Sequence, residues 1–140
     1  MSQVVCNSFK VELFKAIHDF TASTGDTFKV ALYTSAATLG PATTAYTATN
    51  EAVGTGYTAG GANLSSVTPS LIGDTVIVDF ADVTISTVTL TYSQALIYNS
   101  TKANRAVAVF NFGSNRVISG GDLIIQMPTP APASAILRAN

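Results

Sequence analysis

The chain has 140 residues, of which seven are Lys or Arg and eight are Asp or Glu. Charged residues make up 11% of it, against roughly 25% in an ordinary soluble domain, while apolar types hold 47%. Small polar residues fill the gap, with 19 Thr and 13 Ser. This composition excludes a disordered tail, which needs low hydrophobicity and high charge. A net charge of −1 supplies no field for neutralising phosphates, so no nucleic-acid partner is expected.

A chain of this length makes one domain with a core of its own. The single cysteine, Cys6, excludes an internal disulfide and fits a reducing compartment; it is expected to be a small buried apolar residue. Met1 to Cys6 carry no basic region or long apolar stretch, so no signal peptide is expected. No run approaches the ~18 apolar residues of a membrane span, and no membrane partner is expected.

In chain order, the first element is a helix over about residues 8–20. Phe9, Leu13, Ala16, Ile17 and Phe20 form one apolar stripe at helical spacing, and Asn7 or Ser8 stands where a cap is needed. Glu12 sits early enough to favour the helix dipole. Beyond Gly25 and Asp26 the period changes to two. Phe28, Val30 and Leu32 alternate with Lys29, Ala31 and Tyr33 as a half-buried strand. Residues 36–63 are rich in Ala, Thr and Gly without a period, too long for an ordinary connection. Strands over 65–72 and 75–80 flank a Gly73-Asp74 hairpin turn, with Pro69 placing the first at an edge or bulge. Further strands cover 89–98, 103–112 and 122–127. The second of these carries apolar residues on both faces and is expected to be central. Turns are expected at 99–102, 113–115 and Gly120-Gly121. A proline-rich C-terminal arm follows a body of residues 1–127, with Pro128, Pro130 and Pro132 stiffening it and Ile136 and Leu137 near its end. The fold class is mainly β: an antiparallel β-sandwich or open barrel with one N-terminal helix.

The residues that carry chemistry are sparse. His18 is the only histidine, beside the helix stripe, and a structural role is expected for it. No H-x-x-x-H, C-x-x-C or G-x-S-x-G spacing exists. Asp79 and Asp82 are three apart, which on a strand sends them to opposite faces. Asp74, Asp122 and Glu51 sit beside turns or glycines, where carboxylates solvate loops. Gly54, Gly56 and Gly60 miss the dinucleotide spacing by one residue. Gly56 and Gly61 have the phosphate-loop spacing, but Ala62 stands where Lys is required. In that loop the glycines permit positive φ and Tyr57 anchors against the sheet. No catalytic residue, cofactor or metal is expected. Core and interface packing are the expected uses of the tyrosines, ahead of a sugar-binding surface.

Phe28-Lys29-Val30-Ala31-Leu32-Tyr33-Thr34-Ser35, Thr49-Asn50-Glu51 and the run from Gly54 to Gly61 resemble a family of small structural proteins of tailed bacteriophages. Ala95 to Tyr98, Phe110-Asn111-Phe112-Gly113 and Ser119 to Gln126 extend the resemblance over nearly the whole chain, in the same order. The resemblance implies a non-enzymatic virion component, made in the host cytoplasm and assembled in many copies. A capsid decoration or cement protein fits a small, single, repeat-free domain best. Such proteins clamp neighbouring subunits, often as trimers, so the expected partners are the major capsid protein or other virion subunits and copies of the chain itself. The arm, through Pro128, Pro130, Pro132, Ile136 and Leu137, is then expected to dock on a neighbour, so that a chain cut after Met127 keeps its fold and loses assembly. The rival is a tail or fibre component touching a host receptor or surface glycan through Tyr46 and Tyr57 on the long loop. An enzyme such as a depolymerase is a distant third.

Overall fold

One long hairpin organises the molecule. In a computed structural model that describes residues 2–65 and 68–139, the strands β6 (Val83–Asn99) and β7 (Arg105–Ile125) pair antiparallel almost end to end. A straight 17-residue strand would span roughly 55 Å at ~3.3 Å per residue. Register shifts between Ile85 and Val88, Val88 and Leu90, Tyr92 and Gln94, and Ile97 and Tyr98 interrupt the ladder, and such bulges bend and twist it. Around the hairpin lie β1 (Ser2–Val5), α1 (Asn7–Phe14), β2 (Phe28–Tyr33), β3 (Ala62–Asn63), β4 (Thr68–Ile72), β5 (Thr75–Asp79) and β8 (Leu137–Ala139). They form two antiparallel sheets, one ordered β1-β7-β6-β2-β3 and one ordered β4-β5-β8. The fold is mainly β with one short N-terminal helix, and neither sheet closes into a barrel.

Several expected turns are bulges. Residues 113–115 and Gly120-Gly121 lie inside β7, with Gly113 at φ 86° and Gly120 at φ 66°. Opposite them Thr87 on β6 also takes a positive φ, 57°, so both strands carry irregularities and stay paired. The expected strands over 103–112 and 122–127 are thus two ends of one strand. β7 is central where it lies between β1 and β6, and Ala106 to Phe110 are buried there. The Gly73-Asp74 turn joins β4 to β5, with Gly73 at φ 59°, and β4, which holds Pro69, is a sheet edge. Residues 66 and 67, at the start of the expected strand, lie outside the described residues.

The helix is shorter than its stripe. It ends at Phe14, and Ala16 turns to φ 55° while the amides of Lys15 and Ile17 both donate to the Glu12 carbonyl. Leaving the helix lets His18 return to Glu12 and Phe20 stack face to face on Phe28, 4.5 Å between centroids. The stripe is real, but a turn followed by extended chain satisfies its second half. Neither Asn7 nor Ser8 caps α1. Cys6 is the N-cap without a side-chain bond, and the Asn7 amide donates to the Pro41 carbonyl of the long loop.

β2 is buried on both faces rather than one. Phe28, Val30 and Leu32 point to a core shared with Phe9, Phe80 and Ile97. Ala31 and Tyr33 point the other way and are covered by residues 36–61, which fold down as a layer of their own. The Tyr33 hydroxyl donates to the Thr47 carbonyl, and Gln94 donates to the Thr34 and Ala37 carbonyls. The loop also follows the free edge of β2, where the Ala52 amide donates to the Leu32 carbonyl. Gly61 (φ 78°) passes so close that a Cβ there would lie 1.8 Å from the Val30 carbonyl oxygen.

The C-terminal arm folds back onto its own chain. β8 pairs with β5 through Val76–Ala139, Ile77–Arg138 and Val78–Leu137, and Ala135, Ile136 and Leu137 are all at least 95% buried. This corrects the expectation that Ile136 and Leu137 reach a neighbour: the open edge of β5 and the core beneath it are nearer at hand. Pro130 and Pro132 remain exposed, and Pro128 is half-buried. Cutting the chain after Met127 therefore strips two aliphatic side chains from the core, each worth about 1.5–3 kcal/mol. Denaturant titration of the truncated chain should show a loss of roughly 3 kcal/mol or more relative to the full chain.

Candidate functional site

Three features carry the concentrated chemistry of the described residues: a buried glutamate with tyrosines, a histidine network, and an open apolar cleft. The first lies under the long loop. Glu51 is 7% exposed and its carboxylate accepts the Tyr46 hydroxyl at 2.7 Å, the Tyr57 hydroxyl at 2.8 Å and the Gly60 amide at 2.7 Å. Tyr57 also accepts the Leu32 amide at 2.9 Å, and Tyr98 donates to the Gly60 carbonyl at 2.6 Å while stacking on Tyr46. A buried carboxylate is stable only when such donors replace its water.

The candidate receptor residues Tyr46 and Tyr57 are thereby accounted for. Both hydroxyls point inward and are spent on Glu51, so they anchor the loop. Tyr57 seats the loop against β2 as the sequence suggests, with Gly56, Gly60 and Gly61 all at positive φ. Glu51 does not solvate the loop, as its place beside turns and glycines suggests; it is the centre of the cluster. Nothing near it in sequence marks this except two tyrosines, Tyr46 and Tyr57, whose hydroxyls need partners. Burial, and then the hydrogen bond to Glu51 and its charge, push the Tyr46 phenol well above the usual range, and burial does the same for Tyr57. Burial pushes Tyr33 up to about 12.

The second feature joins α1 to the β6–β7 turn. His18 Nε2 lies 2.7 Å from Glu12 Oε2, and Arg105 reaches the other Glu12 oxygen at 3.5 Å. His18 Nδ1 lies 3.0 Å from Asn99 Nδ2, which also donates to Asp26 at 2.7 Å. Since Asn99 Nδ2 only donates, His18 Nδ1 accepts and Nε2 carries the proton toward Glu12. Burial would raise the Asp26 carboxyl, but hydrogen bonds from Asn99, the Asp19 amide and Lys102 hold it below the usual range. The His18 side chain is fully covered, lying against Phe9 at 4.7 Å between ring centroids. This is a structural tie, as expected, although His18 sits beyond the helix rather than on it. Cys6 is likewise buried, and burial followed by the nearby Glu12 charge lifts its thiol to about 11. Asp82 caps the Met127 amide at 2.7 Å.

The third feature is open. Val5, Phe9, Leu13 and Phe20 form one wall of a cleft of ≈ 360 Å³, and Val76, Val78 and Leu137 form the other. Its floor is nearly all apolar, and Lys10 and Arg138 are the charged residues that line it. The apolar surface continues outward: Leu13 is 44% exposed and Phe14 96%, with Val11, Leu71, Ile72 and Val76 also open. Val11 and Phe14 lie off the stripe that buries α1, a signal for this surface that the sequence itself carries. Isolated apolar side chains at a surface need no explanation, but an open apolar cleft whose helix and hairpin carry further exposed apolar side chains marks an interaction surface.

Among the described residues no helix is long and apolar enough to cross a membrane. Comparisons with family models, with curated proteins and with solved structures give no match to this chain.

The Glu51 cluster gives two expectations. Glu51→Gln leaves one carbonyl oxygen to serve three donors and should cost about 1–3 kcal/mol, with faster hydrogen exchange at the Gly60 amide as the local readout. Raising pH should unfold the chain from the tyrosine side. The stability from Tyr33, Tyr46 and Tyr57 is complete below the unfolded phenol value of about 10. It drains away as pH climbs toward the Tyr33 value of about 12, and ultraviolet titration should show these phenols ionising together with loss of structure.

Proposed function

We propose that this chain is a non-enzymatic structural protein of a tailed-bacteriophage virion, a capsid decoration or cement protein that works by covering contact area between neighbouring subunits. The observation that carries this proposal is the uncovered apolar surface of α1 and the β4-β5-β8 sheet, centred on Phe14 and the adjoining cleft. Such a surface gains free energy only when a partner covers it, at roughly 25 cal/mol per Å² of apolar area. The low charge of the chain supports the same reading, because a surface destined for burial among neighbours carries few ions. The buried polar clusters support it too: Glu51 and His18 spend their hydrogen-bonding groups on holding loops in place. The setting, a virion assembled in the host cytoplasm beside the major capsid protein, comes from the resemblance of the Lys29–Ser35 and Gly54–Gly61 segments.

Ile136 and Leu137 of the arm pack within their own chain, so in this reading the contact with a capsid falls to α1 and the small sheet, to which the arm contributes β8. The tail or fibre alternative, with Tyr46 and Tyr57 reading a host glycan, has less support because both hydroxyls are internal.

Cosedimentation of the purified chain with capsids assembled without it tests the proposal. The full chain should sediment with them. Phe14→Ser combined with Leu13→Glu should weaken binding by more than roughly tenfold while changing folding stability by less than about 1 kcal/mol, since both side chains are exposed. Equal binding by the variant removes the proposal, and binding to isolated tails or to an array of glycans instead of capsids would favour the alternative.

A further inference from the structure

We infer that the cleft between α1 and the β5–β8 strands receives an apolar segment flanked by carboxylates, supplied by a different protein subunit. This rests on the contact-area function above and names the chemistry of the partner. At ≈ 360 Å³ the cleft lies at the low end of small-molecule sites, which run from about 300 to 1,000 Å³, so its surroundings decide the occupant. The elements that line it also carry apolar side chains open to solvent outside it. Leu13 lines the cleft and Phe14 follows it, exposed; Val76 lines the cleft and pairs in register with exposed Leu71. A small molecule seated in the cleft would leave Phe14 and Leu71 in water. A peptide segment lying across the cleft covers all of them at once, as an apolar side chain inserts and its neighbours spread over the rims.

Charge decides between a second copy and another protein. Lys10 and Arg138 are the charged residues lining the cleft, and among the described residues no carboxylate lines it. Neither cation has an ionic partner among the described residues. Lys10 Nζ lies 3.4 Å from the Asn7 side-chain oxygen, and Arg138 Nη1 lies 3.5 Å from the Pro132 carbonyl; both acceptors are neutral and the contacts long. By contrast, Lys102 and Arg105 are each held by a carboxylate. Two such faces brought together about a two-fold axis would set the Lys10 and Arg138 pair of one copy against the same pair of the other. Like charges across an interface exclude that partner, whereas carboxylates flanking an apolar anchor answer both cations.

The experiment uses two dyes on the full chain. Anilinonaphthalene sulfonate joins fused rings to an anion, and N-phenylnaphthylamine carries the rings without the charge. Both should fluoresce on binding, and Val76→Asp should weaken both. Lys10→Glu combined with Arg138→Glu should weaken the sulfonate dye by roughly tenfold and leave the neutral dye within about twofold. The same double variant should lose capsid cosedimentation. Equal response of the two dyes to charge reversal overturns the inference. So does a sedimentation mass that falls from dimer to monomer with Leu13→Glu, which would make a second copy the occupant. Either result leaves the contact-area function standing, whereas that function falls only if the Phe14 and Leu13 variant binds capsids unchanged.

Discussion

A carboxylate without a cation holds one side of this protein together. Glu51 is buried among two tyrosine hydroxyls and one backbone amide, and those donors come from two stretches of the long loop, one at Tyr46 and one at Tyr57 to Gly60. Through Tyr57 it reaches β2, and through Gly60 and Tyr98 it reaches β6. Residues 36–61 have too little regular hydrogen bonding to order themselves. The carboxylate and its donors supply the missing constraint and turn a Thr- and Gly-rich connection into a second layer over the sheet. The opposite face of the sheet is closed by aromatic stacking, from Phe9 through His18 and Phe20 to Phe28 and Phe80.

Where α1 and the small sheet diverge, apolar surface is left uncovered, and smaller exposed spots remain at Val117 and Ile124 on β7 and at Val53 on the long loop. The short helix is the reason for the surface beside α1. Had α1 run on to Phe20, its stripe would have been consumed by packing; ending at Phe14 leaves Leu13 of the stripe 44% exposed, next in the chain to Phe14, which lies off the stripe. The same turn creates the buried Glu12–His18 contact, so the exposed rim and the internal tie are two results of one backbone choice at Ala16. Stability and interaction surface are therefore coupled in this fold.

The fold class was legible in the sequence because period-two patterning is local: β2, the Gly73 hairpin and the buried stretch of β7 all declare themselves. What misled was glycine. Gly113 and Gly120 read as turns because positive φ usually reverses a chain, yet inside a long hairpin the same conformation makes a bulge and pairing resumes. The helix over-ran for a related reason, since an apolar stripe at helical spacing records which side chains meet the core and not whether the backbone between them stays helical. β1 passed unnoticed because four residues carry no period, and its pairing with β7 is set by a strand more than a hundred residues away. At the candidate site, the anchoring role of Tyr57 was legible; the role of Glu51 was not, because its three donors converge only once the loop has folded. The arm's destination depended on the open edge of β5, which no pattern in residues 128–140 reveals.

Hydrogen exchange of the full chain, free and bound to capsids, tests the central claim most directly. The account predicts new protection at the amides of residues 10–14 and 71–78, with the amides of residues 46–61 unchanged because Glu51 already holds them. Protection confined to residues 46–61, with α1 and the small sheet exchanging as in the free chain, would contradict it.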